Sequence, residues 1–134
     1  MRVQVERAGV LLIGSLEELG DVAEIAVRSP RPGSGGPLIV GESGAFKALM
    51  LDLAEHLGLD LPHAGDEDAP ALREALPPFV GVSNPLDMTA QGLVDPDLYY
   101  RTLAAAFADD RFGSVLLGVI QTDPDPAASP GHVE

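Results

Sequence analysis

The chain has 134 residues, 46% of them apolar, enough for one ordinary core and too few for two. It contains no cysteine, which excludes disulfides, thiolate nucleophiles and cysteine-type zinc sites. Its formal charge of -13, from 21 acidic and 8 basic residues, sets up a field that repels polyanions, so nucleic acid is a poor partner and the acidity reads as a solvated surface. No stretch has the length and apolar character of a membrane span or a secretory leader, and the expected location is the cytoplasm, away from membranes.

Taken in chain order, the first element is the apolar run Val10-Leu11-Leu12-Ile13, a candidate strand. Ser15 with Glu18 three residues on makes a capping box, and Leu16, Leu19, Val22, Ala23 and Ala26 fall at helical spacing, which predicts an amphipathic helix over 16–27. Ser29 to Gly36 is dense in proline, glycine and serine and reads as a linker. Leu38-Ile39-Val40 is then a strand ending in the tight turn Gly41-Glu42-Ser43-Gly44. A helix over 45–57 follows, with Phe46, Leu49, Met50, Leu53 and Leu57 on one broad face and Gly58 placed for a left-handed cap.

Leu59 to Leu61 is a candidate short strand, and residues 68–76 a short helix stopped by Pro77-Pro78. Phe79-Val80-Gly81-Val82 reads as a further strand that runs into the polar loop Ser83-Asn84-Pro85-Leu86-Asp87-Met88-Thr89. Asp95-Pro96 opens another helix, with Leu98, Leu103, Ala106 and Phe107 as its buried face. Ser114 to Ile120 is the most apolar strand, and the proline-rich segment 123–134 is expected to be disordered.

Apolar strands alternating with helices indicate an α/β fold, a parallel sheet covered on both faces. The expected topology is a flavodoxin-like doubly wound sheet of four strands in the order 2-1-3-4, truncated after the last strand and preceded by an N-terminal helix. The corresponding division is a strand, helix and linker over 1–35, the flavodoxin-like domain over 36–122 and the tail over 123–134. Ser114 to Ile120 would then be an exposed edge through which two copies could pair.

In such a sheet, ligands bind beyond the carboxyl ends of the strands where the order reverses. Two segments should meet there. Ser43, Gly44 and Ala45 open a helix whose free N–H groups and dipole favour an anion, and Lys47 in its first turn adds a positive charge. The plainer reading is an ordinary strand-to-helix turn with a surface lysine, and Glu42 would repel a phosphate unless it points away. On the other side, Asn84 and Pro85 are suited to bracing the loop, and Asp87 to fixing Thr89. His56 sits where a helix C-terminus welcomes a cation, and neither it nor His63 nor His132 has a partner pattern suggesting a metal or a triad.

The order of these motifs, from Ser15-Leu16-Glu17-Glu18-Leu19 through Ser43-Gly44, Leu59-Asp60-Leu61-Pro62 and Leu76-Pro77-Pro78-Phe79 to Asn84-Pro85-Leu86-Asp87-Met88-Thr89, resembles the NDP-forming acyl-CoA synthetases. The likeness covers about residues 5–122 and is to their succinyl-CoA ligase-like flavodoxin domain, the one at the carboxyl end of the succinyl-CoA synthetase β subunit. It implies a ligase in which acid, CoA and ATP give acyl-CoA, ADP and phosphate by way of a phosphohistidine. CoA, ATP or ADP and magnesium would serve the complete enzyme, with none bound directly by this domain.

The resemblance makes Ser43, Gly44 and Ala45 half of the site that holds the phosphoryl group, although relatives carry a glycine where Ala45 stands and an uncharged residue where Glu42 stands. It also implies partner domains or subunits, one that binds CoA and one of the ATP-grasp type. Nothing in the chain matches the family's phosphorylated histidine, so the domain is expected to be inactive alone. The competing expectation is a non-catalytic interaction or regulatory module on the same fold, favoured by Glu42 and the acidic surface. A flavin protein would want flanking aromatics, and a receiver domain an acidic pair after its first strand; neither pattern is present.

Overall fold

A computed structural model describes residue 4, residues 7–29 and residues 33–120. The chain divides into two compact units, Met1–Pro32 and Gly33–Glu134. The expected disordered tail at 123–134 lies outside the described residues.

In the first unit, α1 spans Leu16–Arg28. The Ser15 hydroxyl accepts from the Glu18 N–H at 3.1 Å, and the Glu18 carboxylate reaches back to the Gly14 N–H, one residue before the position a capping box usually serves. Arg28 pairs with Glu24 one turn earlier at 2.8 Å. Val10–Ile13 forms no strand and is solvent-exposed, because no described segment of its own unit offers it a backbone ladder. No α1 residue is buried.

In the second unit, β1 (Gly36–Gly41) is the centre of a three-stranded parallel sheet, flanked by β2 (Leu86–Asp87) and β3 (Phe112–Leu117). Val40 lies opposite Leu86 on one side, and Leu38 opposite Val115 on the other. The register slips between Gly36 and Pro37, where proline has no N–H for the ladder. The helices are α2 (Gly44–Leu57), α3 (Pro70–Ala75) and α4 (Asp97–Phe107), and a 3-10 turn covers Gln91–Leu93. The strands flanking β1 are not the pair 59–61 and 79–82 that the order 2-1-3-4 places there, whereas the α/β class and the truncated flavodoxin-like parallel sheet are as expected.

The strand count is not. Among the described residues there are three strands rather than four, and neither Leu59–Leu61 nor Phe79–Val82 is one of them. Residues 58 and 59 are used to close α2: the Leu59 N–H donates to the Ala54 carbonyl at 2.8 Å and the Gly58 N–H to that of Glu55 at 3.1 Å, with Gly58 left-handed.

Residues 76–82 need no ladder because side chains satisfy their backbone. Arg73 donates to the carbonyls of Leu76, Pro77 and Val80, and the Asp66 carboxylate accepts from the Val82 N–H. The edge of β1 is likewise served by a side chain. Asn84 accepts from the Ile39 N–H at 3.1 Å and donates to the carbonyls of Pro37 at 2.9 Å and Pro62 at 3.1 Å, as a neighbouring strand would. Backbone pairing on that side begins only at Leu86, after the cis Asn84–Pro85 bond.

Leu38, Val40, Leu72, Leu76, Val80, Val82, Leu86, Met88, Leu98 and Ala106 form the buried core. β1 is buried on both faces, as an interior parallel strand should be. On α4 the buried positions are Leu98, Thr102 and Ala106, whereas Phe107, expected inside, is exposed. On α2 only Ala54 is buried, and Leu49, Leu53 and Leu57 are exposed, because a sheet three strands wide covers only part of a 14-residue helix. The outer edge of β3 has no partner among the described residues.

Candidate functional site

The carboxyl ends of β1 and β2 lie side by side, Gly41 opposite Asp87, so the turn that opens α2 and the turn that follows β2 face each other. At the first, Ser43 has extended backbone and its hydroxyl accepts from the Phe46 N–H at 3.2 Å. The Lys47 N–H is bound by the Ser43 carbonyl at 3.0 Å. The amides of Gly44 and Ala45 have no partner among the described residues, and both residues are exposed. These are the orphan donors of a helix start, at the positive end of the dipole.

Phe46 anchors this turn from below. Its ring lies so close to Gly41 and Gly118 that a Cβ on either would stand 2.2 Å and 2.4 Å from ring atoms. Glycine at both positions lets the helix start sit directly on the ends of β1 and β3.

The second turn is shaped by Asp87. One carboxylate oxygen accepts from the Thr89 N–H at 2.8 Å, and the other lies 3.5 Å from where a Cβ on Gly44 would be. Thr89 and Ala90 both have positive φ, 57° and 51°, which disfavours side-chain-bearing residues. The turn keeps that form because the Asp87 carboxylate holds Thr89 and the Glu42 carbonyl accepts from the Ala90 N–H at 2.9 Å.

Lys47 leans toward this side: its ammonium donates to the Ser83 hydroxyl at 2.8 Å, which in turn donates to the Pro85 carbonyl at 2.8 Å. Lys47, Ser83, Asp87, Thr89 and the run 79–82 line an open cleft of about 410 Å³. Of the expected site residues, Ser43, Gly44, Ala45, Lys47, Asp87 and Thr89 come together around the two turns. Asn84 and Pro85 lie behind them, bracing β1.

Glu42 does not face the opening. It is buried, with 3% of its surface exposed, and its carboxylate accepts from the Tyr99 hydroxyl on α4 and from the Ile120 N–H beyond β3. Burial, followed by the hydrogen bond to Glu42, pushes the Tyr99 phenol up to about 12. Tyr99 is not legible in the sequence as a site-forming residue, whereas Ser83 belongs to the loop expected to meet the helix start. Gly92 was the one available signal for Tyr99, since a Cβ there would stand 2.2 Å from its ring.

The remaining strong polar contacts are structural. Hydrogen bonds from Val82 and Arg73 hold the Asp66 carboxyl below its usual range, Arg101 does the same to Asp95, and Arg111 to Asp109. His63 pairs with Asp68 at 3.0 Å on an exposed loop. No helix among the described residues is long and apolar enough to cross a membrane.

No family profile matches the chain. It is 47% identical over 124 residues to a trans-feruloyl-CoA synthase of an unidentified prokaryote, a match covering 92% of this chain and 18% of that protein. It is 30% identical over 104 residues to the alpha subunit of the ADP-forming acetate–CoA ligase II of Pyrococcus furiosus, covering 78% of this chain and 22% of the subunit. The chain thus spans about a fifth of the length of these curated relatives.

The fold is shared with the dinucleotide-forming acetyl-coenzyme A synthetase 1 of Ca. Korarchaeum cryptofilum. The TM-score is 0.76 to its complex with phosphate and ADP and 0.75 to its apo form, covering 91% of this chain and 26% of that one in both cases. Sequence identity to these structures is only 20% and 21%.

Proposed function

From the premise that this chain is an NDP-forming acyl-CoA synthetase-like domain, we propose that it supplies one wall of the phosphate site of a CoA ligase. The proposed overall reaction is acid, CoA and ATP to acyl-CoA, ADP and phosphate, with the phosphoryl group carried on a histidine that another segment contributes. The observation that carries this reading is the pair of exposed, unpartnered amides of Gly44 and Ala45 at the head of a 14-residue helix.

Two such donors, preorganised and aligned with the helix dipole, bind a phosphoryl oxygen without rearrangement. Lys47 adds a positive charge on the cleft side, and Asp87 and Thr89 hold the opposite lip, with Asn84 and Pro85 bracing the loop behind them. Glu42, the feature that spoke for a non-catalytic module, is turned inward and does not confront the anion. CoA, the nucleotide and magnesium would be held by partner domains or subunits, of CoA-binding and ATP-grasp type, across the open side of the cleft.

Two experiments test the proposal. Incubated alone with CoA, acetate or ferulate, ATP and magnesium, the chain forms no acyl-CoA; turnover by the isolated chain would overturn the assignment of those steps to partners. A chimaera in which residues 33–120 replace the matching segment of the feruloyl-CoA synthase retains thioester formation, and Gly44→Glu in that chimaera abolishes it by placing a carboxylate on the two amides. Unchanged activity in the Gly44→Glu chimaera would refute the phosphate role.

A further inference from the structure

A carboxylate in the interior is costly unless its oxygens are fully hydrogen-bonded, and nothing in the chemistry of a strand-to-helix turn requires one there. Glu42 is nonetheless buried, and every contact it makes joins a separate segment. Its carboxylate oxygens accept from the Tyr99 hydroxyl on α4 and the Ile120 N–H beyond β3, and its carbonyl accepts from the Ala90 N–H in the turn after β2.

Ser43, the cap of α2, is the next residue, so a shift of Glu42 reaches Gly44 through two consecutive trans peptide units, about 3.8 Å each from Cα to Cα. The same shift releases Ala90, whose positive φ is held on the other side of the opening. One residue therefore ties both lips of the site together and to the elements beneath them, its carbonyl holding the Ala90 turn and its carboxylate holding Tyr99 and Ile120.

We infer that Glu42 is the positioning residue of the anion site, fixing the distance and orientation between the Gly44–Ala45 amides and the Asp87–Ala90 turn through its bonds to Tyr99, Ile120 and Ala90. The inference rests on the reading of Gly44 and Ala45 as phosphate donors. Glu42 touches no substrate and acts only through the backbone that it holds. Its charge is directed away from the opening, so geometry, not field, is what it contributes.

Glu42→Asp separates these two, because it keeps the charge and shortens the reach by one methylene, about 1.5 Å. In the full chain, inorganic phosphate is titrated against the Gly44 and Ala45 amide resonances, and the hydrogen exchange of the Ala90 amide is measured in the same samples. Leu72→Ala, a buried position on α3 that does not line the cleft, serves as a control that lowers stability.

The expected result is phosphate binding weakened about tenfold in Glu42→Asp, and Ala90 exchange faster than in the control once global stability is matched. Affinity and exchange equal to the control would overturn the inference. If Glu42→Asp does not fold, Tyr99→Phe, which removes one of the two carboxylate bonds and no charge, is expected to change both readouts in the same direction. Should the unaltered chain show no phosphate response at all, the phosphate reading falls by itself, and the Ala90 exchange alone decides whether Glu42 holds the two lips.

Discussion

Asn84→Ala removes one side chain that does the work of a missing strand. The Ile39 N–H loses its acceptor at 3.1 Å, and the carbonyls of Pro37 and Pro62 lose their donor at 2.9 Å and 3.1 Å. Ile39 itself is buried, so water replaces these partners poorly. At roughly 0.5–1.5 kcal/mol for each lost bond, and more where a buried donor is left bare, the expected cost is about 2–4 kcal/mol. For a domain of this size that lowers Tm by about 10–20 °C. Asn84→Asp keeps the acceptor for the Ile39 N–H yet is expected to destabilise as much, because the oxygen that replaces the amide nitrogen would meet the Pro37 and Pro62 carbonyls with no proton between them. Thermal and urea denaturation of the three proteins checks this, and a cost below about 0.5 kcal/mol in Asn84→Ala would show that Asn84 is not the edge of β1.

Further expectations concern titration, packing and local charge. The Tyr99 phenol, raised from 10.0 to about 12 by burial and by Glu42, contributes stability that is present below pH 10 and lost as the pH rises toward 12; urea unfolding from pH 8 to 11.5 should show this decline in the wild type and a shallower one in Tyr99→Phe. Asp109, lowered by its bonds to Arg111, contributes stability that is present above pH 3.8 and lost as the pH falls through its depressed value; in Asp109→Asn that part of the acid transition should disappear. Gly41→Ala drives a Cβ into the Phe46 ring and should cost about 1–3 kcal/mol, with Gly44 and Ala45 among the amides whose shifts change most. Asp87→Asn keeps the acceptor for the Thr89 N–H while removing a negative charge beside Gly44, and should tighten phosphate binding about three- to tenfold at low salt.

What was readable from the chain and what was not follow one physical division. Elements whose signals are local came through: Ser15 and Ser43 as caps, Gly58 as the left-handed stop of α2, Pro77-Pro78 as the end of α3, and the continuous apolar character of Leu38–Val40 in a strand buried on both faces. Phe79–Val82 has the composition of a strand, yet its backbone is claimed by Arg73 and Asp66, residues seven and sixteen positions away whose reach no window of apolar periodicity records. Leu86-Asp87 became the strand instead because Asn84 already occupied the edge of β1.

At the site, the meeting of Gly44 with Asp87 follows from the sheet order alone. The direction of Glu42 does not, since it depends on Tyr99 and Ile120, each more than fifty residues along the chain. The exposure of the α2 leucines has a similar cause: periodicity marks the apolar face of a helix but not the width of the sheet available to cover it.

The central claim is that the first two amides of α2 are open to an anion. Two charge-assisted bonds, offset by the neighbouring Asp87 carboxylate, correspond to a dissociation constant for inorganic phosphate on the order of millimolar. A two-dimensional amide NMR titration of the full chain measures this directly. Saturable shifts of Gly44 and Ala45 that chloride at equal ionic strength does not reproduce are the expected result, and still resonances at those two residues in about 50 mM phosphate would contradict the account.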